Sequence, residues 1–181
     1  MSILKVARMG HPVLRSKTRP MEKSELKTVV VQKLIDDMID TMTEYHGVGL
    51  AAPQVHDALR LFVAALDPEH EGGKDEDENP EPLVIVNPEI AVVGGEVVED
   101  WEGCLSVPDI RGRVPRAREI RVRALDRHGD RIELRAHDFS ARVILHEADH
   151  LDGILFFDRM KSFQSLTFLD EYSRYWTKER D

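Results

Sequence analysis

The segment LHEADHLDG (145–153) sets two histidines, a glutamate and two aspartates within an otherwise apolar, helix-forming run. At about 100° per residue, His146 and His150 share one face. Ala141, Ile144, Ala148 and Leu151 lie opposite, with Leu145 between. Such an apolar girth predicts an interior helix from about 140 to 152, stopped by Gly153. Imidazoles and a carboxylate buried without partners are costly, so partners or an ion must accompany them. The H-E-x-x-H spacing offers the ion. Residues four apart aim both imidazoles at one metal, and Glu147 lies close enough to take a proton from water bound there.

A catalytic metal takes three protein ligands and keeps one position open. Asp149, Asp152 and Asp158 are available but lie too close along the helix or lack a matching context. Upstream, WEGCLSVP (101–108) holds Cys104, the chain's only cysteine and, as a thiolate, a strong ligand for a divalent ion. Gly103 beside it allows close backbone approach. A third segment, GVGLAAPQ (47–54), is a loop of small residues along which a substrate backbone can lie, and Gln54 can donate to a developing oxyanion. Its glycines lack a Walker lysine or a dinucleotide-binding context. The spacing thus gives a metal site with a glutamate base. A zinc endopeptidase and a non-catalytic metal-binding protein remain open, although Glu147 counts against the second, since a structural site closes its fourth position and needs no base.

These residues need elements to hold them. Ser24 can cap a helix over 24–45, in which Leu26, Val30, Leu34, Met38 and Met42, with Val29, Ile35 and Ile39, follow the helical period. LRLFVAAL (59–66) and LVIVNP (83–88) read as strands, followed by short strands at 89–93 and 96–100. A clearer pair at 119–125 and 131–137 is joined by DRHGD, a hairpin turn. A final amphipathic helix is expected over 162–177, anchored by Phe163, Leu166, Leu169, Tyr172 and Trp176. The order predicts an α+β domain, with antiparallel sheets packed around the buried H-E-x-x-H helix and helices near both termini.

At 181 residues the chain suits one domain, 1–181. It has no apolar run long enough to span a membrane. A net charge of −9 argues against a nucleic-acid surface, so no specific DNA partner is expected. Much of that charge sits in EHEGGKDEDENPEP (69–82), with seven acids and one lysine, which reads as a solvated loop. A single cysteine fits a reducing compartment, the cytoplasm. The basic first twenty residues lack an apolar signal core and read as part of the domain.

Taken in order, GVGLAAPQ, EGCLS and HEADH resemble the three motifs of the peptide deformylase family. The resemblance runs from GHPVLR near the N-terminus through VPRAREIRVRALDRHGD to about Met160. It implies a hydrolase that removes the formyl group from the N-terminal formylmethionine of newly made polypeptides. By position, Cys104, His146 and His150 match the family's metal ligands, Glu147 its general base and acid, and Gln54 and the Leu105 N–H its oxyanion donors. The backbones of Val48, Gly49 and Gly103 match the strand-like binding of substrate, and Glu102 the edge of the methionine pocket. Asp149 and Arg116 match an ion pair supporting the ligands, so that every buried polar group of HEADH is expected to have a partner. The resemblance points to Fe2+, with Zn2+, Ni2+ or Co2+ able to substitute, and to transient ribosome contact. The mixed charge of RMKSFQSLTFLDEYSRYWTKERD offers no basic docking helix, and oligomeric state is left open.

Overall fold

The computed structural model describes residues 2–66 and 82–177, so the acidic run lies outside the described residues apart from Pro82. The elements in chain order are α1 (Lys23–Leu26), α2 (Val29–Glu44), β1 (Gly49–Ala51), β2 (Leu61–Ala64), β3 (Leu83–Val92), β4 (Val97–Cys104) and β5 (Val107–Ala117). After these come β6 (Glu119–Leu125), β7 (Arg131–His137), α3 (Asp138–Leu151), β8 (Thr167–Phe168) and α4 (Leu169–Tyr175). Helices are mixed with antiparallel sheets, as the patterning predicts.

The helix expected over 24–45 is two helices. Thr28 interrupts it, donating its hydroxyl to the Glu25 carbonyl at 2.7 Å and accepting the Val31 N–H at 3.4 Å as the N-cap of α2. The break resets the helical phase. Val31, Ile35, Met38 and Met42 become the buried stripe, and Val29 and Val30 are left 84% and 78% exposed.

The larger sheet runs β1-β2-β3-β6-β7, each neighbour antiparallel. Alternation along β2 sends Leu61 and Val63 into one core with Ile35 and Met38, and Phe62 and Ala64 into another with Ile120 and Ile144. Both faces of this strand are covered, which explains the unbroken apolar run in its sequence. The two strands expected over 83–88 and 89–93 are one strand, β3. Its register shifts between Val86 and Glu89, where Asn87 adopts φ 51°. The Asn87 amide anchors that kink by accepting the Met21 N–H at 2.9 Å and donating to the Met21 carbonyl at 2.8 Å.

A second sheet, β4-β5-β8, covers the other side of α3. The sequence predicts only 96–100 of it. Helix α3 is therefore buried between two sheets, with Ile144 and Leu151 in the apolar core and His146 and His150 also buried. The last helix expected, over 162–177, is instead a 3-10 turn at Phe163–Ser165, then β8, then the short α4. Phe163, expected to be an anchor, is 68% exposed. No helix among the described residues is long and apolar enough to cross a membrane.

Candidate metal centre and its cleft

Helix α3 carries His146, Glu147 and His150, and β4 ends by delivering Cys104 to them at its turn into β5. One donor atom from each of Cys104, His146 and His150 lies within 4.8 Å of the other two, and all three residues are buried. Cys104 Sγ stands 3.2 Å from His150 Nε2. His146 turns Nδ1 toward Glu102 Oε2 at 2.9 Å, which leaves Nε2 for the centre. Burial alone would push the Cys104 thiol up, but His150 and His146 beside it hold it well below its ordinary value, so the sulfur has thiolate character. Two imidazoles and a thiolate form a donor set suited to a divalent transition metal.

Behind the ligands lies a buried charge network. Glu102 accepts from Arg116 Nε at 2.8 Å and Nη2 at 3.0 Å, and from Arg142 Nη1 at 2.8 Å. Its second oxygen meets His146. Burial opposes ionisation of Glu102, but His146 and Arg116 outweigh it and hold the carboxyl down at about 2. Arg116 Nη1 also donates to Asp149 at 2.6 Å, and Asp149 accepts Arg159 Nη2 at 2.7 Å. The ion pair implied for Asp149 and Arg116 is thus present within a wider cluster. Glu102 lines the cleft, and its carboxylate also fixes the His146 ring.

Not every polar atom of HEADH has a partner, contrary to expectation. Glu147 Oε2 and His150 Nδ1 are buried without one. Burial pushes the Glu147 carboxyl up to about 7 against the opposing pull of His146 and His150. An unpartnered carboxylate oxygen beside a donor set for a divalent ion is the feature that fits a bound metal and its water.

Gln54 is buried, and its amide is held in one orientation. Oε1 accepts the Ala51 N–H at 2.8 Å, and Nε2 donates to Ser106 Oγ at 3.2 Å and lies 3.6 Å from Cys104 Sγ. The N-terminal arm ties both loops together, through Ala7 N–H to the Gln54 carbonyl and Met9 N–H to the Ser106 carbonyl, each at 2.7 Å.

All of this opens on a cleft of about 730 Å³ whose lining includes Val48, Gly49, Gly103 and Leu105. A Cβ on Gly49 would stand 2.8 Å from both Cγ and Cδ of Glu147. Gly49→Ala should therefore displace the Glu147 side chain and lower activity on the order of a hundredfold with little loss of stability, given the cost of small misplacements at reacting groups. Steady-state kinetics beside thermal unfolding checks this, and near wild-type turnover would show that Glu147 tolerates the shift.

The sequence reading missed Ser106, Arg142 and Arg159. Arg142 carried a signal, because it stands four residues before His146 in a helix read as interior, and a buried arginine requires an acceptor. Ser106 and Arg159 had none outside the fold.

The family model described as polypeptide deformylase matches residues 3–165. This chain belongs to the peptide deformylase family. The deformylase is 42% identical over 176 residues to peptide deformylase 2 of Nostoc sp., covering 97% of this chain and 96% of the relative. Among solved structures it resembles a class I type b peptide deformylase from Acinetobacter baumannii with Met-Ala-Ser bound, at TM-score 0.79 and 40% identity, covering 88% of this deformylase and all of that chain. A peptide deformylase from Legionella pneumophila aligns over 99% of both chains at TM-score 0.76 and 36% identity. The family comprises metal-dependent hydrolases that act on the formylated N-termini of nascent polypeptides.

Proposed function

We propose that Cys104, His146 and His150 hold one Fe2+ ion, at which this deformylase, as a single cytoplasmic catalytic domain, removes formate from the N-terminal formylmethionine of nascent polypeptides. The observation that carries the reading is Glu147, whose buried, unpartnered Oε2 stands beside a converging two-imidazole, one-thiolate donor set. A bound ion acidifies water and polarises the formyl carbonyl. Glu147 takes the proton from the attacking water and later returns it to the departing amine, leaving formate and a free N-terminal methionine. Gln54 Nε2, fixed by Ala51 and Ser106, and the Leu105 N–H donate to the oxyanion that develops on the formyl oxygen. The backbones of Val48, Gly49 and Gly103 bind the substrate's main chain as an added strand. Glu102 locks the tautomer of His146, and Arg116 with Asp149 hold α3 against β5. A thiolate ligand tempers the ion's acidity and suits labile Fe2+, with Zn2+, Ni2+ or Co2+ able to replace it. The Met-Ala-Ser peptide in the Acinetobacter baumannii relative supports reading the cleft as a peptide site. Contact with the ribosome is expected to be transient, in keeping with the mixed charge of residues 159–181.

The test is formate release from an N-formylmethionyl tripeptide by protein purified anaerobically with Fe2+, with metal content measured in parallel. Formate is expected from the formylated peptide only, with no internal cleavage, and chelation should abolish it. A folded, iron-loaded protein that releases none, or that cuts the unformylated peptide internally, would overturn the assignment in favour of a binding protein or an endopeptidase.

A further inference from the structure

The family model ends at residue 165, yet the chain beyond it contributes to the same cleft. Pairing of β8 with β5, Ile110 opposite Phe168 and Arg111 opposite Thr167, sets the first residue of α4, Leu169, at the rim, where it lines the cleft together with Trp101 of β4. Trp101 is itself propped from α4. Its ring centroid lies 4.9 Å from that of Tyr172 and 5.6 Å from that of Trp176. Trp101 and Glu102 are neighbours on β4 in regular pairing, ahead of the register shift between Glu102 and Cys104, and so point to opposite faces, which turns the indole away from the carboxylate that anchors the charge network. Three residues of strand span at most about 10 Å, and the register shift between Glu102 and Cys104 shortens that, so Trp101 stands within the reach of about three residues of an extended peptide from Cys104. A substrate whose formyl carbon sits at the metal ligands therefore reaches this wall at its second or third residue.

We infer that Leu169 and Trp101 form an apolar subsite, completed by the C-terminal helix α4, that selects peptides with a large apolar side chain at the second or third position. The inference rests on the deformylase reading and adds to it a preference carried by residues 166–177. It needs no charge complementarity, because an aliphatic and an indole surface recognise apolar side chains by burial alone.

Formyl-Met-Leu-Phe and formyl-Met-Gly-Gly, compared by kcat and KM, test it. The wild type is expected to favour the apolar peptide, mainly through KM, and Leu169→Ala to shrink that ratio about tenfold, the scale set by loss of a few methylenes from an apolar pocket. Tyr175→Ala, on the exposed side of α4, should keep the ratio and so separates loss of the wall from damage to the helix. Both tryptophans of the chain, Trp101 and Trp176, sit in this cluster, so intrinsic fluorescence should shift with the formyl-free peptide Met-Leu-Phe and not with Met-Gly-Gly. Equal kcat/KM for the two formyl peptides, or a ratio and a fluorescence response unchanged in Leu169→Ala, would overturn the subsite. Absence of formate from every peptide would overturn the deformylase reading instead, and the fluorescence titration would still judge the wall.

Discussion

Glu147→Gln should lower formate release by about a thousandfold without lowering the unfolding midpoint. The activity term follows from the role of the carboxyl as the only group proposed to move the proton both to and from the reacting centre, work worth roughly 10²–10⁴ in rate. The stability term follows from Oε2, buried and unpartnered, with burial driving its carboxyl up to about 7. A neutral amide of the same shape is cheaper to bury there than a carboxylate. Steady-state kinetics on a formyl tripeptide, metal content and a thermal melt of the same preparation decide the matter. A variant that unfolds more readily would show Glu147 to be a structural residue, and one that keeps wild-type turnover would remove it from the proton transfer.

Glu102→Ala should be the most destabilising single change near the centre. It strips acceptors from Arg116, Arg142 and the His146 ring at once, all of them buried. Removing one member of a buried charge cluster leaves uncompensated charge, typically about 3–5 kcal/mol. For a chain of this size that corresponds to a fall of about 10 °C in Tm. Loss of the acceptor on His146 Nδ1 should also weaken metal affinity about 10- to 100-fold. Glu102→Gln retains part of the hydrogen bonding and should fall between. Urea unfolding and metal titration read the two effects separately, and a loss of metal affinity with stability intact would show that the arginines find other acceptors.

The part of the site that was legible in the sequence is the part whose chemistry constrains residue type and spacing together. Two histidines four apart with a glutamate between them, a lone cysteine and a small-residue loop ending in Gln54 are visible because few other arrangements put such residues in an interior. The network behind them is far less visible. Arginines are common surface residues, and only the fold reveals that Arg116 and Arg142 are buried. Strand β5 was missed for a related reason. Its inward positions include Gly112, Val114 and Arg116, so the alternation that marks a half-buried strand is carried by a glycine and an arginine as much as by an apolar side chain. The helix over 24–45 failed at Thr28, whose hydroxyl caps α2 and so breaks the apolar phase that had been carried from Leu26 to Met42. The hairpin of β6 and β7 was read to the residue, because its alternation and its turn agree.

The proposed ligands are separated along the chain, with Cys104 and His150 46 positions apart and the β6–β7 hairpin between them. A chain made from its N-terminus therefore presents its thiol while both imidazoles are still to be synthesised, and α3 cannot bring them to it until the hairpin has folded back. Capture of a metal by the proposed ligands then waits on the synthesis and docking of α3, not on that of Cys104.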